Sequence, residues 1–299
     1  MPLTHLYFVA SAVCLGVGAV LTKSLLSGES ETLGVAESLR VLMVQLIGGI
    51  AFITVVCSVR GWRAGRLAEM RRPAQAGLIL GVGSVGTILA LALISASEAS
   101  LVFATQPMIV LGLAWLLLGE RISAPLVVLC GLAILGVVLI VAGGEETGAT
   151  GYLGGLAFAL LSAACAALYT VWMRGLSGTQ DLLKALLVVQ SVACVVAASV
   201  WVGTALLCSE GFAFGAAPSV PLVVASGALY YGMAYFLYLL GLETTEASTA
   251  GIYLSLVPVF TIALAYLVLG EKLAPIQWLG AVVVVAAVAA VFLMSDRRG

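Results

Sequence analysis

Tyr231, Tyr235 and Tyr238 recur at i, i+4 and i+7, so a helix carries all three on one face. Three phenol rings in an apolar segment offer stacking surface and hydroxyl donors, the chemistry of holding a small, partly flat molecule. A tyrosine hydroxyl removed from water wants a partner. That face should therefore look onto a polar interior, unless the stripe serves helix packing or an interfacial belt. Two prolines supply a second chemistry. Pro107 and Pro258 interrupt apolar runs, and each denies a donor to the carbonyl four residues earlier, at Phe103 and at Leu254. Facing a cavity, such a carbonyl can accept from a bound ammonium. The competing account is a kink healed by Thr105, Ser255 or water, with the prolines shaping packing alone. Gln106 beside Pro107, and Tyr169 with Trp172 upstream, complete the candidates for a binding surface.

Other chemistries find no residues to carry them. HExxH, GxSxG, GxxxxGK[ST] and paired buried aspartates are all missing from the sequence, so neither an enzyme nor an ATP-driven pump is expected. Gly81-Val82-Gly83-Ser84-Val85-Gly86 spells GxGxxG, but no strand precedes it. Close helix packing is the better account, helped by Gly77 four residues before Gly81. The six cysteines lack CxxC spacing and histidine partners, which suits small buried hydrophobes better than metal or disulfide use. No cofactor and no metal is expected. A net charge of −1 without a basic stripe excludes nucleic acid as a partner.

The helices that must position these residues are dictated by composition. The chain has 299 residues, 63% hydrophobic and 9% charged, with a mean hydropathy of +1.20. Soluble domains carry about a quarter charged residues, so this chain has too little polar surface for water and must lie in a bilayer. Apolar runs long enough to span, about 20 residues each, predict ten helices, over 4–26, 34–58, 74–95, 99–119, 124–143, 151–174, 182–207, 219–241, 247–269 and 274–294. The runs do not alternate with period two, which leaves an all-α integral membrane fold. The start lacks the positive segment of a secretory leader, so the first helix is expected to be retained. With the N-terminus inside, ten lysines and arginines fall on the inner side, against Lys23, Arg40 and Lys272 outside. That bias predicts cytoplasmic termini. Much of it comes from Arg60 to Arg72, which serves as a topology anchor or as an amphipathic segment on anionic lipid.

The chain also repeats itself. Pro107, Gly119, Glu120 and Arg121 recur 151 positions later as Pro258, Gly270, Glu271 and Lys272, each glycine suited to a left-handed helix end. Ser11 meets Ser162, Cys14 meets Cys165, Lys23 meets Arg174, and Gly81 meets Gly232 at the same offset. Residues 1–148 and 149–299 thus form two five-helix halves. Five is odd, so the second half enters the membrane inverted, and a central cavity between halves is the expected binding place. The third and eighth helices are equivalent but filled differently. Tyr231, Tyr235 and Tyr238 face Leu80, Ser84 and Thr87 by repeat position, an aromatic wall opposite a small-residue wall. Pro107, Pro258, Gly81, Gly83 and Gly232 are the expected hinge or kink positions.

The paired proline and Leu-Gly-Glu-Arg/Lys corner resembles the drug/metabolite transporter superfamily, in its EamA-type branch of ten-helix exporters, across essentially the whole chain. Within that branch the chain is most similar to YddG-type exporters of aromatic and neutral amino acids. The resemblance implies export of a small molecule from the cytoplasm across the inner membrane, through a cavity lined by Phe103, Gln106, Leu254, Tyr231, Tyr235, Tyr238, Ser84, Tyr169 and Trp172. No charged residue falls near the middle of any predicted span, so the substrate should be uncharged or zwitterionic and its flow facilitative. Besides substrate and lipid, the expected state is a monomer or weak homodimer. An exporter of another metabolite or drug, with proton coupling, and a non-transporting scaffold or receptor are the alternatives.

Overall fold

The computed structural model describes residues 2–26, 34–59, 70–119, 124–141, 149–176, 182–207, 219–254, 256–271 and 274–296, and every regular element among them is helical. In chain order these are α1 (Pro2–Leu26), α2 (Val35–Val59), α3 (Arg71–Leu93), α4 (Ala96–Phe103), α5 (Gln106–Leu113), α6 (Ala124–Val141), α7 (Ala149–Leu176), α8 (Leu182–Leu207), α9 (Val220–Gly227), α10 (Tyr235–Leu242), α11 (Ala247–Tyr253), α12 (Leu256–Leu264) and α13 (Pro275–Asp296). π turns extend α5 over Ala114–Leu118 and α12 over Ala265–Leu269, and a third, Ala228–Ala234, joins α9 to α10. Seven continuous helical stretches are long and apolar enough to cross a membrane, and three shorter apolar stretches accompany them. The protein is a multi-pass membrane protein. Of the expected corners, Glu120, Arg121 and Lys272 lie outside the described residues, as do residues 60–69 of the basic segment.

The prolines break their helices outright. α4 stops at Phe103 and α5 restarts at Gln106 with Pro107 in its first turn, where a missing N–H costs no helical bond. α11 and α12 repeat the break, with Pro258 in the first turn of α12. The corners match as well: Gly119 and Gly270 adopt φ of 69° and 68°, the left-handed region open to glycine, each closing a π turn. The span expected to begin at residue 99 begins at Ala96. Ser95 accepts from the Glu98 N–H while Glu98 accepts from the Ser95 N–H, a capping box set between largely apolar runs that obscured it.

Packing interleaves the two halves. α1 lies against α10 and α12, α7 against α3 and α5, and α6 against α13. Lipid removes the hydrophobic drive between helices, so close backbone approach and hydrogen bonds must hold them. Gly77 and Gly81 abut Val192, Ala193 and Val196 of α8, while Gly83 and Gly86 abut Cys165 and Phe158 of α7. α3 runs unbroken through Gly81 and Gly83, so neither is the hinge the sequence suggested; both are contact points. Gly232 does sit in a departure from α geometry, inside the π turn and against Phe52.

The second corner crosses between the halves. The Glu271 carboxylate accepts from the Ala96 and Ser97 N–H groups, each at 3.2 Å, and from the Ser97 hydroxyl. Nearby, Lys23 donates to the Leu91 and Ile94 carbonyls at 2.8 and 2.9 Å, holding the C-terminal end of α3. Arg174, its counterpart in the second half, donates to Leu242 and Glu243 at the end of α10. An acid at a helix start and cations at helix ends are both favoured by the helix dipole. Glu271→Ala strands the first-turn donors of α4 and should cost about 3 kcal/mol. A melting temperature in detergent indistinguishable from the parent's would show that the corner does not tie the halves together.

Candidate functional site

A cavity lies between α1, α3, α7, α10 and the two proline breaks. Its wall pairs residues 151 positions apart: Ser11 with Ser162, Leu15 with Ala166, Thr87 with Tyr238, Phe103 with Leu254, and Gln106 with Val257. Five such pairs around one space put it on the approximate symmetry relating the halves. Its volume is ≈ 80 Å³. One water needs about 10–15 Å³ by that measure, so this conformation has room for several waters or a small ligand.

Of the five wall residues without a repeat partner on the wall, three are tyrosines. Tyr169, Tyr230 and Tyr235 line the cavity, opposite Gly18, Ile79 and Ser84 in the repeat numbering. Tyr230 comes from the π turn, whose i→i+5 bonding shifts side chains out of the α-helical register. Tyr230 and Tyr235 both line the cavity. Tyr231 turns away, stacking on Tyr235 at 6.1 Å and 14°, and meets Tyr230 edge-on at 4.8 Å. The Gln190 side-chain amide donates to the Tyr231 carbonyl at 2.9 Å, satisfying one backbone acceptor of that turn. Gly18 makes room as well: a Cβ there would overlap the Tyr230 ring.

The serine and threonine hydroxyls of the wall, and that of Tyr238, are engaged within it. Ser11 donates to the Ala234 carbonyl at 2.8 Å. Thr87 donates to Gly83 at 3.1 Å and shares a 2.6 Å bond with Ser162. Tyr238 donates to Thr170 at 3.1 Å, and Thr170 donates to Ala166 at 3.0 Å. The Tyr169 hydroxyl, on a side chain 2% exposed, has no partner among the described residues. Leaving a buried hydroxyl unpaired costs about 1–3 kcal/mol. Its ring meets Tyr235 edge-on at 5.6 Å and 70°. Among the described residues no charged side chain lines the cavity.

Of the expected wall residues, Phe103, Gln106, Tyr169, Tyr235, Tyr238 and Leu254 stand there; Tyr231, Ser84 and Trp172 do not. Ser84 stands beside Tyr231, off the wall, and Trp172 donates to the Arg72 carbonyl at 3.3 Å, near the start of α3. The helical spacing of the tyrosines misplaced Tyr231 by assuming an α register across the π turn. The Leu254 carbonyl is not unbonded: it accepts from Val257 at 3.0 Å in a tightened turn. At the first break the backbone bonds run from Ala104 to Ser100 and Leu101, from Thr105 to Val102, and from Met108 and Ile109 to Thr105, passing over the Phe103 carbonyl. The Thr105 hydroxyl bonds Val102, not Phe103. Ser11, Ser162, Thr170 and Tyr230 were not expected on the wall, whereas Thr87 stands there as its small-residue side required. The repeat alignment held the signal for Ser11 with Ser162 and for Thr87 with Tyr238; the π turn that places Tyr230 leaves no such trace.

The EamA-like transporter family matches this chain twice, over residues 2–142 and 153–293. A solved structure titled "Crystal structure of protein" superposes with a TM-score of 0.66 at 20% identity, covering 95% of this chain and 99% of that one. That likeness is one of fold. No curated protein matches the sequence.

Proposed function

Because the chain belongs to the EamA-like transporter family, with two EamA repeats, we propose that it exports aromatic or neutral amino acids, or similar small metabolites. The route is alternating access across the inner membrane, with ten spans in two inverted halves of five and cytoplasmic termini. The observation that carries this reading is the wall itself. Five symmetry-paired positions surround a space with aromatic rings, hydroxyls and an amide, and with no charged side chain. An ion brought there would lack a counter-charge in a low-dielectric surrounding, whereas a net-neutral molecule with a flat apolar part finds stacking surface and hydrogen-bonding groups. The broken helices flanking the cavity supply the joints about which the halves rock. Carboxylates such as Glu98 and Glu271 stand at helix starts away from the wall, which favours facilitative flow over proton coupling.

Purified protein in liposomes, tested with a panel of amino acids, nucleosides and sugars, checks the reading. Saturable uptake of L-tryptophan or L-phenylalanine is expected, changed less than about twofold by an imposed pH gradient; a tenfold change would need about 1.4 kcal/mol of coupling. Absence of flux for every compound would remove the transport reading. Uptake driven by a pH gradient and lost in a Glu98→Gln or Glu271→Gln variant would replace facilitation with proton coupling.

A further inference from the structure

We propose that the Tyr169 hydroxyl is the donor that orients the transported molecule, binding an oxygen acceptor on a net-neutral ligand whose flat apolar part lies against Tyr235. This inference rests on the transport reading above and assigns a specificity-determining residue within it. Tyr169 is buried, lines the cavity, and has a hydroxyl without a partner among the described residues. The serine and threonine hydroxyls of the same wall are all engaged with carbonyls or with one another. Buried polar groups in folded proteins are nearly always bonded, and an exception in a cavity points to a group that arrives from outside.

Symmetry sharpens the assignment. The repeat counterpart of Tyr169 is Gly18, and the space beside Gly18 is filled by the Tyr230 ring. The first half offers no hydroxyl at the equivalent position, so the Tyr169 donor distinguishes the two sides of the cavity and can fix which way round a ligand lies. The edge-on Tyr235 ring holds the Tyr169 ring in place. With no charged side chain on the wall among the described residues, an acceptor on a molecule of zero net charge, such as the carboxylate of a zwitterion or a carbonyl oxygen, suits the site best.

Tyr169→Phe removes the donor and nothing else. With L-tryptophan as the probe in proteoliposomes, its KM should rise about tenfold, the loss of one charge-assisted hydrogen bond. The melting temperature of the ligand-free variant in detergent should equal or exceed the parent's, because the deleted hydroxyl has no protein partner to lose. A purely structural hydroxyl would give the reverse, a lowered melting temperature with KM unchanged, and that result overturns the proposal. So does an unchanged KM at equal stability. If the parent protein itself does not take up L-tryptophan, the amino-acid reading fails and this proposal fails with it; parent uptake unaltered in Tyr169→Phe sinks the proposal alone.

Discussion

Gly227→Ala is expected to lower stability by at least about 3 kcal/mol, and Gly227→Leu to leave little folded protein. The reason lies in how α9 meets α2. A Cβ at Gly227 would overlap the Gln45 backbone, at its carbonyl oxygen, Cα and carbonyl carbon. Backbone atoms in the middle of a 25-residue helix cannot step aside as a side-chain tip can. Gly48 faces Val224 and Ala228 in the same embrace. The two helices meet backbone to backbone, and the Gln45 amide donates to Thr22 and Ser226 at 2.8 and 3.0 Å. Pushing α9 away would stretch the Gln45–Ser226 bond and displace the π turn that carries Tyr230. Gly203 is the control. It lies in α8 with nothing within 4 Å of an added Cβ, so Gly203→Ala should be neutral or stabilise by up to about 1 kcal/mol through helix propensity. Thermal melting in detergent compares the two, and equal effects would rule out the close approach as the cause.

Tyr235→Ala is expected to reduce kcat/KM for L-tryptophan uptake at least about thirtyfold, roughly 2 kcal/mol, the scale of one buried aromatic side chain. Tyr235 is the wall's central ring, edge-on to Tyr169 and parallel to Tyr231. Its removal takes away the ligand's stacking surface and loosens the ring that would orient it. Tyr235→Phe should retain most of the activity, since the argument needs the ring. Tyr231→Ala is the informative contrast. That ring is buried behind the wall beside Ser84 and Gly49, so its loss should appear as a lower melting temperature, with the KM of the folded fraction little changed. If Tyr231→Ala and Tyr235→Ala act alike on KM, the wall is drawn in the wrong place.

Much of this molecule was legible in its residues. Apolar runs marked the helices, the 151-residue offset marked the repeat, and the left-handed glycines at 119 and 270 followed from where each run stopped. Six of the nine expected wall residues stand on the wall. The misses turn on hydrogen bonds that an α-helical count does not contain. The π turn at Ala228–Ala234 exchanged Tyr231 for Tyr230 because i→i+5 bonding has no signature in side-chain pattern. The Leu254 carbonyl found Val257 by tightening a turn, an option an α-helical count does not contain. Glu271 reached the start of α4, a partner set by tertiary packing alone.

The interleaving of the halves has a consequence for how the protein is made. The Ser11 hydroxyl bonds the Ala234 carbonyl across 223 positions of sequence, and α1 packs chiefly on elements of the second half. At about 5–20 residues per second of synthesis, α1 waits roughly 10–45 s in the bilayer before its neighbours exist. In that interval Lys23 can already reach the carbonyls of α3, which come off the ribosome early, while Glu271 arrives almost last. The Lys23 contact is thus one whose partners exist early in synthesis, and the Glu271 contact one whose carboxylate comes near its end.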